Sequence, residues 1–134
     1  MSGETNLTAL IRNMEPVLQD GAYVFASVKN IDRMKRSDTI CEFEEAEGRT
    51  VVLSQENADK YGLTYDFVAA WITLKIHSAL EAVGLTAAFA TALGEHNISC
   101  NVIAGYYHDH IFVAQADKEK AMTVLQNLSK NYKG

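Results

Sequence analysis

Residues 67–77 read FVAAWITLKIH. Successive strand side chains alternate between two faces, which puts Ile72, Leu74 and Ile76 on one side and Trp71, Thr73 and Lys75 on the other. One face is aliphatic and the other carries a hydroxyl and an ammonium, the pattern of a sheet covered on one side. Downstream, Leu85, Ala88, Phe89, Ala92 and Leu93 recur at helical spacing, with Gly84 before the run and Asn97 after it. Ser99–Gly105 and His110–Gln115 then make a hairpin, and Ala121, Val124, Leu125 and Leu128 line a last helix that Asp117 is expected to cap. Residues 64–134 therefore run strand, helix, strand, strand, helix.

The preceding residues follow the same plan with one element missing. Tyr23–Val28 alternates, with Val24, Ala26 and Val28 on one face. Thr39–Phe43 and Arg49–Leu53 bracket the turn EEAEG, and Ser54 caps a two-turn helix that ends near Tyr61-Gly62. The connector NIDRMKRSD is too short and polar for a helix of its own. Ahead of this plan, Leu7, Leu10, Ile11 and Met14 form a short amphipathic helix, capped by Thr5 or Asn6 and stopped by Pro16. It is expected to cover the sheet face left bare by the missing helix. The expectation is an α+β fold of two like modules, residues 1–63 and 64–134. Each has an antiparallel sheet covered by helices, and the first lacks its first crossover helix. A module of about 65 residues buries a marginal core alone, so the two are expected to dock.

Composition narrows the class of function. With 48% hydrophobic and 22% charged residues and one proline, the chain of 134 residues is ordinary globular material. Twelve Lys and Arg against seventeen Asp and Glu give a net charge of −5, which repels polyphosphate. The one basic cluster, Arg33-Met34-Lys35-Arg36, is short and followed by Asp38, so nucleic acid is not an expected partner. The start MSGETN has no signal-peptide pattern, and no apolar run nears the roughly 20 residues of a bilayer span. No membrane association and a cytoplasmic location are expected. Cys41 and Cys100 lack metal-ligand spacing and are expected as buried packing thiols.

Two segments carry candidate chemistry. Ser78-Ala79-Leu80-Glu81 fits a capping box, and the following AVGLTAA sets Gly84 at the mouth of a helix whose first amides favour an anion. The hairpin YYHDHIFV (Tyr106–Val113) puts His108 and His110 on one side of a strand and Asp109 on the other. With His77, the two histidines could supply three imidazoles to zinc; the plainer alternative is that each packs or bonds locally. His96, late in its helix, is expected to offset the dipole. No nucleophile elbow, phosphate loop or HExxH motif is present, so neither an enzyme nor a cofactor is expected.

The segment ITLKIHSALEAVGLTAAFATALGEHNISCNVIAGYYHDHIFV resembles the second module of small bacterial tandem ACT-domain proteins, whose relatives include the cytosolic arginine sensor of animals. FEEAEGRTVVLSQENADKYGL resembles the end of their first module, while the loop from Lys29 to Asp38 matches nothing in them. The resemblance implies ferredoxin-like modules that bind an amino acid or similar small molecule at their interface. By carry-over, the amides around Gly84, Leu85 and Thr86 take its carboxylate and Asp109 meets its ammonium group. Ser78, Glu81, Val83, Tyr106, His108 and His110 surround it. The aspartate usual in the family's loop is absent, and Glu81 stands nearby. A non-enzymatic sensor is expected, as a homodimer that reports to an unidentified protein partner. A metal-binding protein or a ligand-free interaction module is the alternative.

Overall fold

The computed structural model describes residues 6–76 and 83–133. The chain forms two compact units, one made of Met1–Gln19 with Trp71–Gly134 and the other of Asp20–Ala70. These limits differ from a division at residue 63, because the first nineteen residues go with the C-terminal part of the chain.

In the continuous unit, β2 (Tyr23–Val28) pairs antiparallel with β4 (Gly48–Ser54), and β4 pairs with β3 (Cys41–Glu45). Val68 and Ala69, at the start of β5 (Val68–Lys75), add a fourth strand beside β2. The short helix α2 (Gln55–Lys60) covers this sheet, its N-terminus closed by the Ser54 hydroxyl, which accepts from the Asn57 amide. Between β2 and β3 there is no α-helix, only two 3-10 turns at Ile31–Arg33 and Arg36–Asp38. The side chains that plug the bare face come from this connector: Ile31 and Met34 pack into the buried cluster of Val24, Ala26, Val28, Val51 and Leu53.

In the split unit, β5 is followed by α3 (Leu85–Glu95), β6 (Asn101–Ala104), β7 (Asp109–Ala114) and α4 (Lys118–Asn131). The strand order is β1-β5-β7-β6, where β1 (Glu15–Leu18) runs antiparallel to residues 72–75 of β5. With β5 counted as the first strand, this is the fourth-first-third-second order of a ferredoxin-like unit. Its fourth place is filled from the N-terminal side of the chain. The same order describes the continuous unit, where β2 is first and β5 fourth. One strand therefore closes one unit with its first residues and opens the other with its last.

The sequence pattern accounts for most of these elements. α1 (Leu7–Arg12) starts where Asn6 accepts the Ala9 amide and packs on α3 and α4, burying Leu10 and Ile11. α1 ends at Arg12 with Asn13 as its C-cap, ahead of Pro16, which instead lies inside β1, opposite Leu74, at a sheet edge where a missing N–H costs nothing. Ser129 ties the segment down, its hydroxyl shared between the Arg12 and Met14 carbonyls. Asp117 occupies the N-cap of α4 without a side-chain bond, because a 3-10 turn at Gln115–Asp117 already leads the chain into the helix. Both cysteines are free and half-buried rather than fully buried, since Cys41 lies on β3, at the edge of its sheet, and Cys100 just before the edge strand β6. Burial still pushes the Cys100 thiol up to about 11, away from thiolate chemistry. No helix among the described residues is long and apolar enough to cross a membrane.

Candidate functional site

The tip of the β6–β7 hairpin is tied to the chain just after β5 by named contacts within the split unit. Gly105 donates to the His108 carbonyl at 2.9 Å and closes the hairpin. Its hydrogen in place of a side chain is required here: a Cβ would lie 2.8 Å from the His108 carbonyl oxygen and 3.1 Å from His110 Nε2. His108 Nδ1 lies 3.3 Å from the Ile76 amide nitrogen and 3.2 Å from its carbonyl oxygen. The tip is thereby anchored to Ile76, the residue that follows β5. Ser78 and Glu81, like His77, fall outside the described residues.

His110 is held from the other direction. Trp71 Nε1 donates to His110 Nδ1 at 3.1 Å, and the Thr73 hydroxyl reaches the same nitrogen at 3.2 Å while accepting from Gln19 Nε2 at 3.0 Å. An indole nitrogen can only donate, so Nδ1 carries no proton and the neutral ring bears it on Nε2. Burial, then the charge of His108, lowers the pKa of His110, with Asp109 opposing. Trp71 also stacks on Phe112, with ring centroids 6.1 Å apart. This face is a packed polar-aromatic layer with its hydrogen bonds satisfied.

Asp109 goes to the opposite face. Alternation along β7 aligns it with Ile111 and Val113, both fully buried, on the side that carries Ile72 and Leu74 in β5. The buried side chains of α3 and α4, among them Leu85, Phe89 and Leu125, need such an apolar surface, so this is the helix-covered side. Asp109 is half-buried, and desolvation raises its pKa although His110 and His108 pull it down. Among the described residues it forms no salt bridge. It is a carboxylate held partly out of water.

α3 follows β5 in the chain. Gly84 is its N-cap, with φ 94° and ψ −14°, a left-handed conformation natural to glycine. The helix then presents its first amides, those of Leu85 and Thr86, which have no intrahelical acceptor. Leu85 is buried and Thr86 exposed. The Leu7 side chain of α1 leans over the cap, with Cδ2 at 3.1 Å from where a Gly84 Cβ would be. Val83, Tyr106 and Tyr107 stand out into solvent, at 85%, 61% and 65% exposure, and the two tyrosine rings meet edge to face at 5.0 Å.

The candidate residues thus fall into two groups. Gly84, Leu85, Thr86 and Asp109 have a helix start and a carboxylate that belong to the covered side. His108 and His110 are committed to β5 on the other side. Leu7, Gln19 and Thr73 were not candidates from sequence, because nothing local links them to positions 84 or 110. Among the described residues no group of three or more His, Cys, Asp or Glu is placed to hold a metal ion. His96 sits at the C-cap of α3, its Nδ1 at 3.0 Å from the Ala92 carbonyl, where its ring meets the helix's free carbonyls.

Comparison with known proteins follows the same two-part layout. Residues 2–70 match one ACT domain and residues 67–127 match another. A Vibrio cholerae protein of unknown function, described as a possible transport protein, is 47% identical, with a TM-score of 0.80 over 92% of this chain and 95% of its own. An Agrobacterium tumefaciens protein shares 15% identity with a TM-score of 0.71, over 87% of this chain and 89% of that one. The ligand-free regulatory subunit of aspartate kinase from Thermus thermophilus shares the fold at 8% identity, with a TM-score of 0.58 over 84% and 95% of the two chains. No functionally curated protein matches.

Proposed function

The chain belongs to the ACT-domain family, and on that premise we propose that it is a non-enzymatic sensor of an amino acid or a similar small zwitterion. The carboxylate of the ligand lies on the first amides of α3, at Leu85 and Thr86, where backbone donors and the helix dipole favour negative charge. Its ammonium group meets Asp109. Val83 and Tyr106 flank the ligand, Ser78 and Glu81 are further candidates outside the described residues, and His108 and His110 hold the hairpin that carries Asp109.

The observation that carries this reading is the state of Asp109, a half-buried carboxylate with its pKa raised by desolvation and no salt bridge among the described residues. Removing a charge from water is costly unless an opposite charge joins it. An incoming ammonium supplies that charge, and the cost stored in the empty site becomes affinity for a cationic group. The likeness in fold to a regulatory subunit of aspartate kinase agrees with a control role. The protein is read as a homodimer in the cytoplasm that passes the ligand signal to a protein partner.

Calorimetric titration with the common amino acids tests the reading on the wild type and on Asp109→Ala. One of them binds the wild type, and loss of the charge-assisted contact weakens it about tenfold or more. Equal affinity in the two proteins removes Asp109 from the site. Repeating the titration after EDTA separates a metal protein, which would lose thermal stability on chelation.

A further inference from the structure

We propose that the continuous unit holds a second site, specific for a small organic anion with an apolar body, in the cavity opened by its missing crossover helix. The cavity measures ≈ 310 Å³, the lower end of the range of small-molecule sites. Its wall is mixed: Val28, Met34, Tyr61 and Leu63, all part of or packed on the unit's buried cluster, line it beside Ser27 and Asn30. Lys29 and Arg33 line it too, both exposed.

These two cations are uncommitted. Arg36 and Arg49 pair with Glu42, Arg49 also with Glu44, and Lys60 with Asp38. Neither Lys29 nor Arg33 forms an ion pair among the described residues. Lys29 also borders a neighbouring cleft with Glu44, Glu45 and Glu47 and still bonds to none of them. Two cations without an ion pair among the described residues thus stand beside one cavity, in a chain of net charge −5.

The wall is also braced. Tyr61 donates through its hydroxyl to Asp38 and accepts the Lys35 amide at 3.3 Å, while Lys60 lies over its ring at 4.9 Å. Tyr61, which lines the cavity, is thus held at its hydroxyl and over its ring. Asn30 secures the connector at the other side, accepting the Asp32 amide at 3.0 Å. In a ferredoxin-like unit with both crossover helices, a helix would cover this face of the sheet. Here the connector is two short turns, and the space they leave is floored by the core and rimmed by basic side chains. An anion with a hydrocarbon part satisfies both surfaces at once: the head meets Lys29 and Arg33, and the body covers Val28, Met34 and Leu63.

The head group is either a carboxylate or a phosphate ester, and benzoate and phenyl phosphate distinguish them. Each is titrated into the ¹⁵N-labelled full chain, with benzyl alcohol and inorganic phosphate as the body and the head alone. The expected result is saturable shifts of the amides of residues 27–34 and 61–63 with at least one organic anion. Benzyl alcohol and inorganic phosphate should each bind about tenfold or more weaker. In Lys29→Gln/Arg33→Gln, whose two substitutions are at exposed positions, the shifts should weaken by about tenfold or more while the remaining spectrum keeps its peaks. Absence of saturable shifts with both anions up to about 10 mM overturns the proposal, as does undiminished binding in the double variant. Increasing salt provides a second measurement on the wild type alone, and affinity that does not fall with it is equally contrary. The amino acid site uses other residues, so either can fail without the other.

Discussion

Gly84→Ala puts a Cβ at a position whose backbone and surroundings both oppose it. At φ 94° and ψ −14° a residue with a Cβ is strained by about 1–2 kcal/mol. The new methyl would stand 3.1 Å from Leu7 Cδ2, closer than carbon atoms pack, and turning the end of a leucine side chain away costs roughly 0.5 kcal/mol more. The total, about 2 kcal/mol, corresponds to a fall in Tm of about 7 °C for a chain of 134 residues. Differential scanning calorimetry measures that fall. Its two parts separate in a double-mutant cycle with Leu7→Ala, which frees the space and leaves the dihedral strain. The cycle should return a favourable coupling near 0.5 kcal/mol. A Tm within about 1 °C of the wild type would refute a left-handed start to α3, and zero coupling would refute the Leu7 contact.

Stability should also fall on mild acidification because of His110. Its pKa is lowered in the folded state, so between the folded value and the ordinary value of about 6.5 the unfolded chain binds more protons, and stability is lost as pH falls below about 6.5. One such proton bounds the slope at about 1.4 kcal/mol per pH unit. In urea melts between pH 7.5 and 5.5, His110→Asn should show a flatter profile than the wild type, and identical profiles would count against the burial that lowers the His110 pKa. Asp109 has the opposite sign, because its raised pKa adds stability only at acid pH and loses it as pH rises through the folded value. Deleting residues 1–19 should remove β1 and the buried Leu10, Ile11 and Met14, abolishing cooperative unfolding of the split unit. Retention of a sharp Trp71 fluorescence transition in that truncation would contradict the strand assignment.

Strands and helices with strong periodicity were legible in the sequence. Tyr23–Val28 alternates cleanly and is β2 residue for residue, and Gly84 marks the start of α3 at Leu85. β1 was not legible. Four residues are too few to show a period, and Pro16 reads as a helix stop because its role at an edge depends on a partner, Leu74, far along the chain. That same omission set the leading residues with the first module rather than with the C-terminal part of the chain. Of the candidate site, the helix start and the opposed sides of Asp109 and the two histidines follow from local rules. The partners of those groups do not: Trp71 and His110 are 39 residues apart, and Leu7 approaches Gly84 only through packing.

The placement of β1 has a consequence for synthesis. Residues 15–18 leave the ribosome long before residues 72–75, against which they must lie. Meanwhile Asp20–Ala70 contains nearly all the contacts of its own unit and can collapse as it emerges. β1 must then wait unpaired until residues 72–75 have emerged, a stretch of strand open to holdase capture or proteolysis in the meantime.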